Sequence, residues 1–219
     1  MSLYTLPNAM YVEIARFLGA DFPGNGFRKS AGLVQIKDII NDQTYSNGAL
    51  HSFDDQPARI NTEGSQFWFQ RDKLHRDNGP AIIYADGEHR WYQHGKLHRD
   101  NGPAIVSANG SRYWYQHGKK HRDNDLPAVI CAGGDREWYI NGLCHRDGDQ
   151  PAEIYANGDR QWYQHGKIHR DNDQPAYVDA NGSQFWYLRG ELHRDNGPAI
   201  IRVNGRREYW LNNQRVRHL

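Results

Sequence analysis

Cysteine is almost missing from this chain of 219 residues, in which Cys131 and Cys144 are the only two. Two thiols make no disulfide framework, and a reducing compartment is the plainer reading. Long apolar runs are missing as well, and no stretch approaches the ~20 residues of a membrane span. An excess of one charge is also lacking. Lys and Arg number 27 against 26 Asp and Glu, a net charge of +1, so nothing draws the chain over long range to nucleic acid or anionic lipid. The first 20 residues are amphipathic, with Glu13 and Arg16 inside the apolar run, and lack the basic-then-apolar order of a signal peptide. The expectation is a soluble, intracellular protein. Hydrophobic residues make up 37%, thin for a wide core, yet 22 Gly, 13 Tyr and 7 Trp are not the aromatic-poor profile of disorder. Many short strands joined by tight turns fit this composition.

Periodicity then organises the chain. Trp68, Trp91, Trp114, Trp138, Trp162, Trp186 and Trp210 follow one another at spacings of 23, 23, 24, 24, 24 and 24 residues. The wording between them repeats, as in Trp91 to Tyr113. The extra residue of three longer copies lies where Asn101-Gly-Pro-Ala104 becomes Asn124-Asp-Leu-Pro-Ala, Gly148-Asp-Gln-Pro-Ala or Asn172-Asp-Gln-Pro-Ala. In the last copy it falls between Gly205 and Trp210. Residues His51, Pro57, Ala58, Ile60 and Gly64 keep the register upstream of the first tryptophan, and Tyr45 and Gly48 match the hairpin before them. The array is thus seven copies from about Thr44 and a half copy from Trp210 to Leu219.

Each copy holds two strand candidates, one around the tryptophan and one after the proline. Asn-Gly or Asp-Gly joins them, at Asp86-Gly87, Asn109-Gly110, Asn157-Gly158, Asn181-Gly182 and Asn204-Gly205, and predicts a type I′ turn there. Proline opens the second strand, where its missing N–H is tolerated. The third residue after proline is always β-branched (Ile60, Ile83, Val106, Ile130, Ile154, Val178, Ile201) and shares a face with an alanine, Ala58 to Ala199, repeated in all copies. This stripe is expected to face inward, with the seven tryptophans completing a narrow repeat core. The opposite face varies from copy to copy. It carries aromatic residues beyond what solubility needs, and Tyr84, Tyr113, Tyr155, Tyr177 and Phe185 are candidates for holding a partner.

His-Arg-Asp occurs six times, beginning at His75, His98, His121, His145, His169 and His193. The same letters open a kinase catalytic loop, but six copies without a glycine-rich loop or Asp-Phe-Gly predict a structural role. The pairs His94 and His98, His117 and His121, and His165 and His169 flank a Gly-Lys turn. Zinc wants three or four ligands, copies should stand about 10 Å apart, and Cys144-His145 lacks the first His, so no metal site is assigned. No catalytic residue, cofactor or small-molecule substrate is assigned either. Arg112, Arg136, Arg160, Arg202, Arg206 and Arg207 lie near aromatics, but each copy also carries Asp, which argues against nucleic acid.

The segments Tyr92-Gln-His-Gly-Lys-Leu-His98, Tyr115-Gln-His-Gly-Lys-Lys-His121 and Tyr163-Gln-His-Gly-Lys-Ile-His169 resemble a variant MORN repeat, with Arg-Asp in place of the usual Gly after His. The wording is similar to repeats in proteins of large DNA viruses of amoebae. The resemblance covers about Thr44 to Leu219. It implies a mainly β, antiparallel hairpin solenoid, non-catalytic work through protein contacts or self-association, and a virion or assembly role; in some members membranes are also involved. Residues 1–43 differ in texture. Leu3, Leu6, Val12, Ile14, Phe17 and Leu18 suit an amphipathic helix and a second helix is expected over 27–40. Together they would cap the open end of the array 44–219. Leu6-Pro7, Ile14 and Phe17-Leu18 also resemble an F-box, which implies the alternative of an adaptor that recruits ubiquitin-ligase machinery to a target held by the repeats.

Overall fold

The computed structural model describes residues 29–30, 33–38, 43–46 and 48–217. They are mainly β, with no helix among the described residues. The helix expected over 27–40 is not what is found: Lys29–Ser30 and Leu33–Asp38 are antiparallel strands, and the latter pairs with Gln43–Ser46. The alternation Leu33, Gln35, Lys37 against Val34, Ile36, Asp38 has the period of a strand, and Gly32 at its start disfavours helix. The amphipathic segment 3–18, with its F-box-like residues, lies outside the described part. The chain divides into two compact units, residues 1–99 with 104–108, and 100–103 with 109–219.

Each unit is built on one antiparallel ladder of strands that are mostly two residues long. In the first, Arg59–Ile60, Gln66–Phe67, Ile82–Ile83, His89–Arg90 and Ile105–Val106 pair in that order. In the second the order is Arg112–Tyr113, Val129–Ile130, Arg136–Glu137, Glu153–Ile154, Arg160–Gln161, Tyr177–Val178, Gln184–Phe185, Ile200–Ile201 and Arg207–Leu211. After each tryptophan the chain leaves the ladder for a small hairpin, such as Tyr139–Ile140 with Leu143–Cys144. The last copy is different: its extra residue lets Arg207–Leu211 run unbroken through Trp210 into a pairing with Gln214–Val216.

The turn chemistry is distributed otherwise than the Asn-Gly pairs predict. In the Asp86-Gly87 loop the Gly87 N–H donates to the Tyr84 carbonyl at 3.0 Å, and only the glycine has positive φ, 91°. That is a type I turn followed by one left-handed residue, the three-residue hairpin loop. The type I′ turns belong to the small hairpins, where both central residues are left-handed: His94-Gly95, His117-Gly118, Asn141-Gly142 and His165-Gly166. The first of each of these pairs is His or Asn, which tolerate that region better than most side chains, whereas Arg71-Asp72 and Arg189-Gly190 open the same turn with Arg.

Burial follows the repeat only in part. Ala58, Ala81, Ala104, Ala128, Ala152, Ala176 and Ala199 are all 0% exposed, and the carbonyl or N–H of each is bonded across the ladder. The β-branched residues two positions on are half-buried, whereas Ile82, Val129 and Ile200, on the face expected to be the variable one, are buried. The inward stripe is therefore not confined to one face. The reason is the exit of the chain at each tryptophan, which folds a hairpin over the other side. Around Ala152, for example, Trp138 and Cys144 are buried with Tyr139, Ile154 and Tyr163 against them.

Candidate interaction surface

The repeated residues are taken up by bonds within a copy and from one copy to the next. The backbone N–H of Trp138 donates to the Ala152 carbonyl at 2.8 Å, and the His145 N–H donates back to the Trp138 carbonyl at 3.1 Å, both within one copy. Arg146 lies 4.0 Å above the Trp138 ring and grips Asp125 of the preceding loop with two bonds of 2.8 Å. The same stack joins Arg76, Trp68 and Asp55, then Arg170, Trp162 and Asp149, then Arg194, Trp186 and Asp173. The guanidinium bond holds each of these aspartates below the usual carboxylate range.

The histidine of His-Arg-Asp has two partners. His145 Nε2 meets Asp147 at 3.0 Å, and its Nδ1 accepts the backbone N–H of His165, in the next hairpin turn, at 3.3 Å. An accepting Nδ1 places the proton on Nε2. His75 and His121 repeat the arrangement with His94 and Asn141, while Nδ1 of His169 and of His193 lies near both a backbone N–H, of Arg189 or Asn212, and an oxygen, of Tyr187 or Asn212. The candidate metal pairs thus have a different geometry from the expected one: His94 packs on His75 of the preceding copy, ring centres 4.6 Å apart, and His165 on His145 at 4.8 Å. Among the described residues no group of three or more His, Cys, Asp or Glu is placed to hold a metal ion.

The five aromatic candidates are all half-buried, and the four in the second unit fall on one side of its ladder. In the first unit Tyr84 stands edge-on to Phe67, at 6.3 Å, beneath the Arg90 guanidinium. In the second, Tyr113 lies opposite Val129. Tyr177 and Phe185 are cross-strand partners that stack at 4.8 Å. The Tyr177 hydroxyl donates to Asp159 at 3.0 Å, and burial and this carboxylate push its pKa up to about 12. Tyr155 donates to Glu153 Oε2 at 2.8 Å.

Between these aromatics lies a polar patch that the sequence reading did not single out. Glu137 and Glu153 are direct cross-strand partners, a pairing that like charges disfavour. Cys144 reaches Glu153 Oε1 at 3.7 Å and Tyr163 donates to Gln161 at 2.9 Å. Burial raises the Glu153 carboxyl above its ordinary value, with the neighbouring Glu137 adding to the rise, and burial likewise raises Cys144, Tyr139 and Tyr163. Its signal in the sequence is weak: Glu137 and Glu153 are merely two members of irregular positions until the register sets them side by side.

No family model matches this chain, and no curated protein matches it. Among the described residues no helix is long and apolar enough to cross a membrane.

Proposed function

We propose that this chain is a non-catalytic, MORN-like repeat scaffold that holds a protein partner on its aromatic face. The observation that carries the reading is a division of labour. The histidine and arginine of the repeated wording are spent on bonds to the neighbouring copy and the aspartate on its own histidine, while the candidate tyrosines and Phe185 vary from copy to copy and stay half-exposed. Half-buried tyrosines with fixed hydroxyls suit protein recognition, because they offer large rigid area at little entropy cost. The resemblance of the wording to repeats of large DNA viruses extends the proposal to a structural protein of a virus particle, and co-purification with intact particles tests that extension.

The binding reading is tested by site-specific photo-cross-linking in the native source. A photoreactive phenylalanine analogue replaces Tyr155 or Phe185 in one set and the exposed Lys167 in another. One protein adduct from the aromatic sites and none from Lys167 is expected. Equal labelling from both sets, or none, contradicts the aromatic face as the binding surface.

A further inference from the structure

The face opposite the aromatic candidates carries a second pattern. Down the ladder of the second unit, direct cross-strand partners read Arg112, Ile130, Arg136, Ile154, Arg160, Val178, Gln184, Ile201 and Arg207. Arginine alternates with a β-branched aliphatic along most of this row, and no carboxylate interrupts it. Arg112, Arg136, Arg160 and Arg207 are exposed, and the aliphatics between them are half-buried. None of the four arginines enters an ion pair among the described residues. They differ in this from Arg146, Arg170 and Arg194, which are held by aspartates.

The pitch of the row selects a partner. Neighbouring strands stand ~4.8 Å apart, so successive arginines are ~9.6 Å apart with an aliphatic midway. On an α-helix, positions seven residues apart are ~10.5 Å apart on nearly the same face, and a residue three or four on falls midway. Over the stretch Arg112 to Arg160 the two rulers differ by only ~2 Å. Twist of the sheet turns successive side chains about the row, which restricts the match to that three-arginine stretch. An extended acidic strand fits worse, because its same-face residues recur every ~6.7 Å.

We propose that Arg112, Ile130, Arg136, Ile154 and Arg160 form a docking strip for an acidic amphipathic helix. Its occupant carries a carboxylate at heptad spacing and an aliphatic side chain between successive carboxylates. The strip is independent of the aromatic face, since adjacent residues of a strand point to opposite sides.

The test uses the full chain and two synthetic helical peptides of about three heptads. Both contain the same Glu, Leu and helix-forming residues. One has Glu every seven residues with Leu midway, and the other has them at five-residue spacing. Calorimetric titration at low and physiological salt should show binding of the heptad peptide, weaker as salt screens the charges. Arg136→Glu should weaken it roughly tenfold, the size expected when an exposed pair becomes a repulsion. Arg160→Glu should do the same, and each variant's melting curve confirms that it is folded. Tyr155→Ser should leave peptide binding unchanged, which separates this strip from the aromatic face. Equal affinity for the two peptides would reduce the row to unspecific attraction and overturn the proposal. Absence of binding, or binding that Arg136→Glu and Arg160→Glu leave untouched, overturns it as well.

Discussion

Trp68, Trp138, Trp162 and Trp186 are buried and donate Nε1–H to a loop carbonyl, from Asp55, Asp125, Asp149 and Asp173. Trp91, Trp114 and Trp210 are half-buried, and the Trp210 Nε1 has no hydrogen-bond partner. The difference is one residue in the preceding loop. Where the loop reads with the additional Asp, two successive left-handed residues, such as Asn124 and Asp125, bring a carbonyl to the indole and a carboxylate to the arginine above it. Asn78, Asn101 and Asn196 stand at the start of the short loops. Trp138→Ala should therefore cost ~3–5 kcal/mol, as a large-to-small change in a packed site. Trp114→Ala should cost less, about 2 kcal/mol for a side chain only half removed from water. Thermal unfolding of the two variants gives the comparison. Glu153 provides a pH test. A carboxyl whose pKa rises on folding stabilises the fold below its unfolded value, and that contribution is lost as pH rises through the folded value. Relative to Glu153→Gln, the wild-type melting temperature should fall as pH is raised from the ordinary glutamate value of 4.5. A difference that stays constant with pH would mean that burial of this carboxyl has no consequence for stability.

At the scale of the element, a copy is a ladder hairpin and an outer hairpin joined at tryptophan. The repeat length, the strand after proline and the buried alanine were legible in the sequence because each recurs at a fixed offset in every copy. The turn types were not, since Asn-Gly fits both a type I′ turn and the three-residue loop that is found, while His-Gly gives little hint of the type I′ turn it forms. Nor was the partition of burial between faces, because strands of two residues leave too few alternations to show which side the outer hairpin will cover. The aromatic residues were readable as a set on one face; their mutual stacking and the Glu137–Glu153 pairing needed the register. The extra loop residue was visible as a length change, but its role needed the Arg146–Asp125 geometry. This makes a graft informative. Rewriting Asn101-Gly102 as Asn-Asp-Gln should give Arg122 a carboxylate and the Trp114 indole an acceptor. A gain of about 1 kcal/mol is expected, the net worth of one such bond, read as a raised denaturation midpoint. Arg146→Lys should act in the opposite direction, because a lysine cannot both lie flat on Trp138 and hold Asp125 with two bonds.

For the molecule as a whole, the ties between copies within each unit join neighbours: Arg to Asp, His Nδ1 to the next turn, and the turn glycine to the hairpin before it, as Gly166 N–H to the Cys144 carbonyl at 2.8 Å. Stability of such a stack is a sum of copy and neighbour terms rather than the property of one central core. The repeated wording is explained by those ties, which leaves the varied faces free to be shaped by partners. Native-state hydrogen exchange of the second unit in Trp138→Ala tests this most directly. The account predicts lost protection at the amides of Trp138, His145, Ala152 and Gly166, which bond across that copy and the next, with the amides of Trp186 and His193 nearly as protected as in the wild type. A uniform loss of protection from Trp114 to Trp210 would show a single cooperative core and contradict it.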